Sequence, residues 1–231
     1  MKTIGLLGGM SWESTVEYYR SINEGVRAAL GNLHSAKIVV VSVDFDSIVK
    51  LQHDGEWEET GFLLAEHARH VQAAGADFLV ICTNTMHMVA PQIESAIDIP
   101  ILHIADATAE VLLQKDITTV GLLGTAFTME QEFYRGRLQD NHGISVLTPG
   151  LEDRRLVHNV IYHELCLGKQ NAASRAEYVR IIDTLADQGA DAVILGCTEI
   201  GMLVKQSDTP VMLLDTTAIH ARKAVEAALA E

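Results

Sequence analysis

The chain echoes itself at a spacing of about half its length. Lys2-Thr3-Ile4-Gly5-Leu6-Leu7-Gly8 returns as Thr118-Thr119-Val120-Gly121-Leu122-Leu123-Gly124. Gly75-Ala76-Asp77-Phe78-Leu79-Val80-Ile81 returns as Gly189-Ala190-Asp191-Ala192-Val193-Ile194-Leu195. The displacement is 116 positions from Gly5 to Gly121 and 114 from Gly75 to Gly189. A third echo sets Asp98-Ile99-Pro100-Ile101-Leu102 against Asp208-Thr209-Pro210-Val211-Met212. One such match could be chance; three in the same order point to duplication. Whatever one half folds into, the other half must fold into as well.

Each half alternates short apolar runs with amphipathic stretches. Ile4–Leu7, Ile38–Val43, Phe78–Ile81 and Ile101–Ile104 in the first half, and Val120–Leu123, Ile144–Leu147, Ala192–Leu195 and Val211–Leu214 in the second, have the Val/Ile/Leu-rich character of parallel strands buried on both faces. Helical periodicity covers Thr15–Leu30, Thr60–Ala74, Glu130–Gln139, Leu156–Leu167 and Ala173–Gln188, with Gly75 a natural helix terminus. The fold class is therefore α/β: two pseudo-symmetric domains with parallel sheets, bounded at about 1–115 and 116–215. A last helix at about 216–231 is expected to pack back onto the first domain. Ligands of open α/β sheets collect beyond the carboxyl ends of the strands, so two such domains are expected to enclose an active site in the cleft between those ends.

Charge and composition exclude several function classes. A net charge of −14 opposes nucleic acid or an anionic membrane as partner, because phosphate contacts need clustered Lys and Arg. No run approaches the roughly 18 apolar residues of a membrane span, and the N-terminus lacks the features of a signal peptide. The expected location is cytoplasmic. Three cysteines with no CxxC spacing argue against a disulfide framework or a cysteine-rich zinc site. The ten histidines include His67 with His70 and His158 with His163, but no HExxH pattern, so no metal is expected.

The repeat singles out the residues at the strand ends. Eight positions beyond Gly75 and Gly189 lie Thr83 and Cys197, so Thr83 is the counterpart of Cys197, Asn84 of Thr198 and Thr85 of Glu199. Cys82 aligns with Gly196 and, on alternating strand geometry, points away from Thr83; it reads as packing. Cys166, between Leu165 and Leu167, reads as core or interface filler. Two equivalent positions facing one carbon suit racemisation, which removes a proton from one face and returns one to the other. A thiol has an ordinary pKa near 8.5, which a modest downward shift brings into use at neutral pH. A threonine hydroxyl is too weak an acid to match it, but it can donate a hydrogen bond or relay through water. The loops Gly8-Gly9-Met10-Ser11 and Gly124-Thr125 place backbone N–H groups beside helix starts, where a carboxylate is favoured. Against these roles stand structural ones. Thr83, Asn84 and Thr198 are good capping residues, Glu199 suits a first helical turn, and His87 and His103 suit satisfied structural positions.

Leu195-Gly196-Cys197-Thr198-Glu199-Ile200 and Thr83-Asn84-Thr85-Met86-His87 together resemble the two signatures of the aspartate/glutamate racemases. The usual first signature is Cys-Asn-Thr-Ala-His. The opening Gly-Gly-Met with Ser14-Thr15 and the Gly124-Thr125 turn are similar too, and the resemblance covers essentially the whole chain. It implies two Rossmann-like domains with the active site between them, frequent homodimers, and catalysis with no pyridoxal phosphate, metal or other cofactor on a small-molecule amino-acid substrate. It further implies that Cys197 is the acid/base acting on the L-enantiomer, with Thr83 in the place of the other cysteine. Met10, Gln52, Asn84, Thr85, Thr125 and Thr198 fall at substrate-contacting positions.

Two departures bear on specificity. Thr83 in place of cysteine weakens deprotonation of the D-enantiomer. Family members specific for acidic substrates often carry lysine after Ile-Tyr, where this chain has Ile161-Tyr162-His163-Glu164, and no arginine clamp stands near Asp46–Leu51. Aspartate or glutamate is the expected substrate, with a neutral or basic amino acid as the variant. Two other functions stay open: a single-cysteine decarboxylase of the same superfamily, tested by carbon dioxide release from a malonate, and a binding protein without turnover.

Overall fold

The computed structural model describes residues 1–230, so Glu231, the expected end of the last helix, lies outside the described residues. The chain divides into two compact units, Met1–Ile104 with the segment from His220 onward, and Ala105–Ile219.

The first unit runs β1 (Ile4–Gly8), α1 (Trp12–Leu30), β2 (Ile38–Ser42), α2 (Phe45–Asp54), α3 (Trp57–Ala73), β3 (Phe78–Ile81), a 3-10 turn over Thr85–Val89 and α4 (Ala90–Glu94). Its three strands are parallel in the order β2-β1-β3. Strands β1 and β3 are buried throughout, which is why they carry unbroken apolar runs. At the start of β1 the chain must be glycine: a Cβ on Gly5 would stand 2.3 Å from Val71 Cγ1, so α3 rests directly on the strand.

The second unit holds α5 (Ile104–Leu113) from Ala105 on, then β4 (Thr119–Gly124), α6 (Ala126–Glu130), α7 (Glu132–His142), β5 (Ser145–Leu147) and α8 (Leu151–His163). There follow α9 (Ala172–Asp187), β6 (Ala192–Gly196), α10 (Ile200–Leu203), β7 (Met212–Asp215) and α11 (Thr216–Leu229). The four strands are parallel in the order β5-β4-β6-β7. The junction at 104/105 precedes the expected 115/116 because α5 is tied into this unit. Asp106 makes a two-pronged ion pair with Arg137 at 2.7 Å, and the Tyr134 hydroxyl donates to Thr108 Oγ1 at 3.3 Å. From His220 onward α11 joins the first core, where Ala221, Ala224, Val225 and Ala228 meet Ile4, Tyr18, Ile22 and Val26, and the Lys2 N–H donates to the Ala228 carbonyl at 2.8 Å.

The duplication is visible in the register of the sheets. Gly5 pairs with Leu79 and Gly121 with Val193, reproducing the two sequence displacements. Two expectations are corrected. Ile101–Ile104 is not a strand: only Ile101 bridges to Leu79, and Ile104 already begins α5. The ladder stops because the Ile104 N–H donates to the His87 ring Nε2, at 3.3 Å, and so leaves the sheet. The expected helix Leu156–Leu167 ends at His163, because Glu164 takes up φ −123° and ψ −65° and the chain tightens into a 3-10 turn over Leu165–Leu167 that carries Cys166. Among the described residues no helix is long and apolar enough to cross a membrane.

Candidate active site

In the first unit the loop after β1 is fastened from inside. Gly9 has φ +93°, and a Cβ there would lie 2.3 Å from the Val43 carbonyl oxygen, so no other residue fits. Thr15 Oγ1 accepts the Gly9 N–H at 2.8 Å and donates to the Ser11 carbonyl at 3.0 Å. Ser11 Oγ accepts the Ser14 N–H at 3.3 Å and caps α1, and Ser14 Oγ donates to the Cys82 carbonyl at 3.1 Å. The ends of β1 and β3 are thereby tied together. The Gly9 N–H, expected to face a carboxylate, is already used by Thr15. Met10 is buried in the core with Ile48, Leu64 and Met86. Gln52, on α2, is also buried, and its side-chain carbonyl oxygen has no hydrogen-bond partner among the described residues. An acceptor left in that state costs about 1–3 kcal/mol, which a ligand's donor would recover.

Beyond β3, Cys82 is fully buried, its sulfur 3.8 Å from the Val80 carbonyl oxygen, and burial pushes its thiol pKa far up. Thr83 is half-buried. Asn84 and Thr85 are buried; Asn84 stands at the start of the 3-10 turn without a side-chain capping bond, so capping does not explain it. His87 closes the turn, with ring Nδ1 2.8 Å from the Thr83 carbonyl oxygen.

In the second unit the corresponding loop begins at Thr125. Its Oγ1 accepts the Thr128 N–H at 3.3 Å and lies 3.2 Å from Thr128 Oγ1, while the Ala126 N–H donates to His158 Nδ1 at 3.1 Å. Here too a backbone donor expected to meet an anion is spent on a side chain.

At the end of β6 lies Cys197, half-buried, with its thiol donating to Glu199 Oε2 at 2.8 Å. Glu199 is buried. Thr198 Oγ1 is 2.9 Å from Thr217 Oγ1, and Thr216 Oγ1 donates to the Leu195 carbonyl at 2.9 Å, so α11's first turn braces this strand end. The surroundings raise the thiol pKa well above its ordinary value: burial first, then the Glu199 carboxylate, then Cys166. A usable thiolate at neutral pH would call for a lowered value, so at rest this thiol keeps its proton. With the Glu199 carboxylate beside it, the sulfur rests protonated and directs its hydrogen at Oε2.

Tyr162 and Tyr178 complete the wall. Both phenols are pushed up, chiefly by burial and next by Cys197. The Tyr178 hydroxyl donates to the Val157 carbonyl at 3.0 Å. Sequence reasoning placed neither at the site, since each looks like an apolar helix position. His158 was missed as well, its contact to Ala126 spanning 32 residues. Glu164 Oε2 accepts from Ser174 Oγ at 2.7 Å, which fixes it at the start of α9.

The family model described as Asp/Glu/Hydantoin racemase matches residues 7–224. A crystal structure from Yersinia pestis, described as that of a candidate Asp/Glu racemase, is 54% identical, with both chains covered in full and a TM-score of 0.94. The structure of PH1733 from Pyrococcus horikoshii OT3, described as an aspartate racemase homologue, is 32% identical over 99% of each chain, with a TM-score of 0.85. The broad specificity amino-acid racemase RacX of Bacillus subtilis strain 168 is 22% identical over 98% of each chain.

Proposed function

We infer the function from one premise: this chain belongs to the Asp/Glu/Hydantoin racemase family. It is an isomerase of the racemase class with a small-molecule amino-acid substrate. Beyond that, we propose cofactor-independent acid/base chemistry of the aspartate/glutamate racemase type, with the L-enantiomer as the one more readily deprotonated. Cys197 takes the α-proton of the L-enantiomer. Thr83, through its hydroxyl or a water it holds, serves the opposite face. Met10, Gln52, Asn84, Thr85, Thr125 and Thr198 are assigned to holding the substrate.

The observation that carries the proposal is the thiol of Cys197 donating to buried Glu199 at a strand end. An inert core cysteine needs no carboxylate. In the first step the thiol proton passes to Glu199, leaving a thiolate; the thiolate then removes the α-hydrogen, and the sulfur is again a thiol. The Thr83 hydroxyl, or the water it holds, delivers a proton to the other face of the carbanion and completes inversion. The proton left on Glu199 returns through solvent to that donor, restoring every group. Glu199 both raises the thiol pKa and supplies the site for its proton, so Glu199→Gln should move alkylation of Cys197 by iodoacetamide to lower pH while reducing turnover. Unchanged alkylation with unchanged turnover removes Glu199 from the reaction.

The direct test is incubation with single L- and D-amino acids in heavy water, following α-proton loss by NMR and inversion by chiral chromatography. Exchange faster from L-aspartate or L-glutamate than from their D-forms is expected. Wild-type protein that exchanges no amino acid overturns the proposal. The working form is further proposed to be a cytoplasmic homodimer, which sedimentation equilibrium checks; a monomer at micromolar concentration would remove that element.

A further inference from the structure

Three imidazoles are packed inside the first unit where aliphatic side chains would ordinarily stand. His87, His103 and His220 are 1%, 7% and 0% exposed. The rings of His87 and His103 are 4.5 Å apart between centroids, and those of His87 and His220 5.9 Å. His220 has a bond-level explanation: Nε2 donates to the Leu102 carbonyl at 2.7 Å and Nδ1 accepts from the Tyr18 hydroxyl at 2.8 Å, which staples α11 to α1.

His87 has a different pair of partners. Thr83 offers a carbonyl oxygen, which can only accept, so the ring hydrogen sits on Nδ1. Ile104 offers an N–H, which can only donate, so Nε2 is bare. Both ring positions are spoken for, and one neutral tautomer satisfies them. Burial and the two neighbouring imidazoles disfavour a charge there as well. The consequence falls on Thr83. Its carbonyl is held by the ring and the Asn84 carbonyl by the His87 N–H at 3.0 Å, so two successive peptide groups of the Thr83-Asn84-Thr85 turn are fixed by one residue. Those groups set where the Thr83 and Asn84 side chains are presented.

We propose that His87 is a positioning residue for racemisation: as a neutral Nδ1–H imidazole bridging Thr83 and Ile104, it holds the Thr83-Asn84-Thr85 turn in the orientation that protonates the second face of the substrate. The proposal rests on the assignment of Thr83 to that face. It predicts an effect on inversion that is separable from proton removal by Cys197. Loss of the Thr83 bond misplaces the returning proton, so α-hydrogen exchange continues while inversion falls behind.

The test compares His87→Asn with His87→Gln. The asparagine amide reaches the place of Nδ1 and can donate to Thr83; the glutamine amide reaches the place of Nε2 and cannot. With each protein in heavy water, the ratio of inversion to α-hydrogen exchange is measured for the L-enantiomer, with kcat and KM. His87→Gln is expected to lower the ratio about tenfold, the weight of one buried hydrogen bond, with KM within about twofold, and His87→Asn to stay near wild type. Equal ratios in both variants and wild type overturn the positioning role while leaving the racemase assignment intact. Absence of exchange in wild type overturns the assignment itself, and this proposal with it. A measurement on the unsubstituted protein guards against misfolded variants: ring nitrogen-15 shifts distinguish the Nδ1–H tautomer from the commoner Nε2–H form. Finding Nε2–H at His87 overturns the proposal without any substitution.

Discussion

The ends of β3 and β6 are the same place in two copies of one fold, and they have been furnished in opposite ways. At β3 a hydroxyl, Thr83, is backed by the buried imidazole of His87, whose ring hydrogen on Nδ1 points to the Thr83 carbonyl. At β6 a thiol, Cys197, is backed by a carboxylate and two phenols. The His87 ring holds geometry and stays neutral itself, leaving the proton to the Thr83 hydroxyl or the water it holds. The surroundings of Cys197 hold a proton that can be passed on. Duplication supplied the positions, and divergence made one of them a candidate thiol acid/base and the other a candidate hydroxyl donor.

The largest effect expected from breaking this asymmetry is at the sulfur. Cys197→Ser should lower α-hydrogen exchange of the L-enantiomer about 10³-fold, the usual weight of a positioned acid/base, with the thermal midpoint nearly unchanged. A loss below tenfold would move the chemistry elsewhere.

Next is acid stability, which should reside in the first unit. The folded pKa of His220 is pushed down to about 4 by burial, and that of His87 also lies well below the ordinary value. Both groups are neutral when folded, whereas the unfolded chain takes up their protons below about pH 6.5. Their contribution is therefore complete above that pH and is lost as pH falls toward the folded values. For His220 alone the difference amounts to roughly 3 kcal/mol. Urea denaturation at about pH 7 and pH 4.5 measures it; His220→Gln should flatten the pH dependence relative to wild type.

A third comparison sets Gly5→Ala against Gly121→Ala. The new Cβ would meet Val71 Cγ1 at 2.3 Å, Ala76 Cβ at 2.8 Å and the Phe78 carbonyl oxygen at 3.1 Å in the first unit. In the second it would meet Leu185 Cδ1 at 2.9 Å, the far end of a longer side chain, and Val193 Cγ2 at 3.0 Å. Overpacking should cost about 2 kcal/mol at Gly5 and under about 1 kcal/mol at Gly121 by urea denaturation. Equal costs would show that the two helix-on-sheet contacts yield alike.

The smallest effect is the most diagnostic. Thr83→Cys makes the two strand ends alike. Enantiomers have equal free energy in achiral water, so kcat/KM must be the same in both directions for any variant. The gain, about tenfold, should therefore appear for L and D substrates together, while exchange without inversion declines. Polarimetry with the NMR exchange assay reads both. A gain in kcat/KM for one enantiomer alone would violate the equilibrium and point to a side reaction.

Much of this was legible in the order of residues. The repeats around Gly5 and Gly75 define buried strands that must pair alike in each half, because a parallel strand buried on both faces announces itself locally as an apolar run. Counting from those glycines placed Thr83 and Cys197 at equivalent strand ends without any contact being known. What the order of residues could not show is which partners they meet. Glu199 lies two positions from Cys197, yet its effect, raising the thiol pKa, depends on burial. The imidazole cluster joins positions 87, 103 and 220, and the missing fourth strand of the first sheet follows from the Ile104 N–H turning to His87. The sequence by itself determined two parallel α/β units and which residues stand at the matching strand ends. Tertiary structure alone decided the proton's resting place and the loop donors already spent, since both depend on side chains that only packing brings within hydrogen-bond reach.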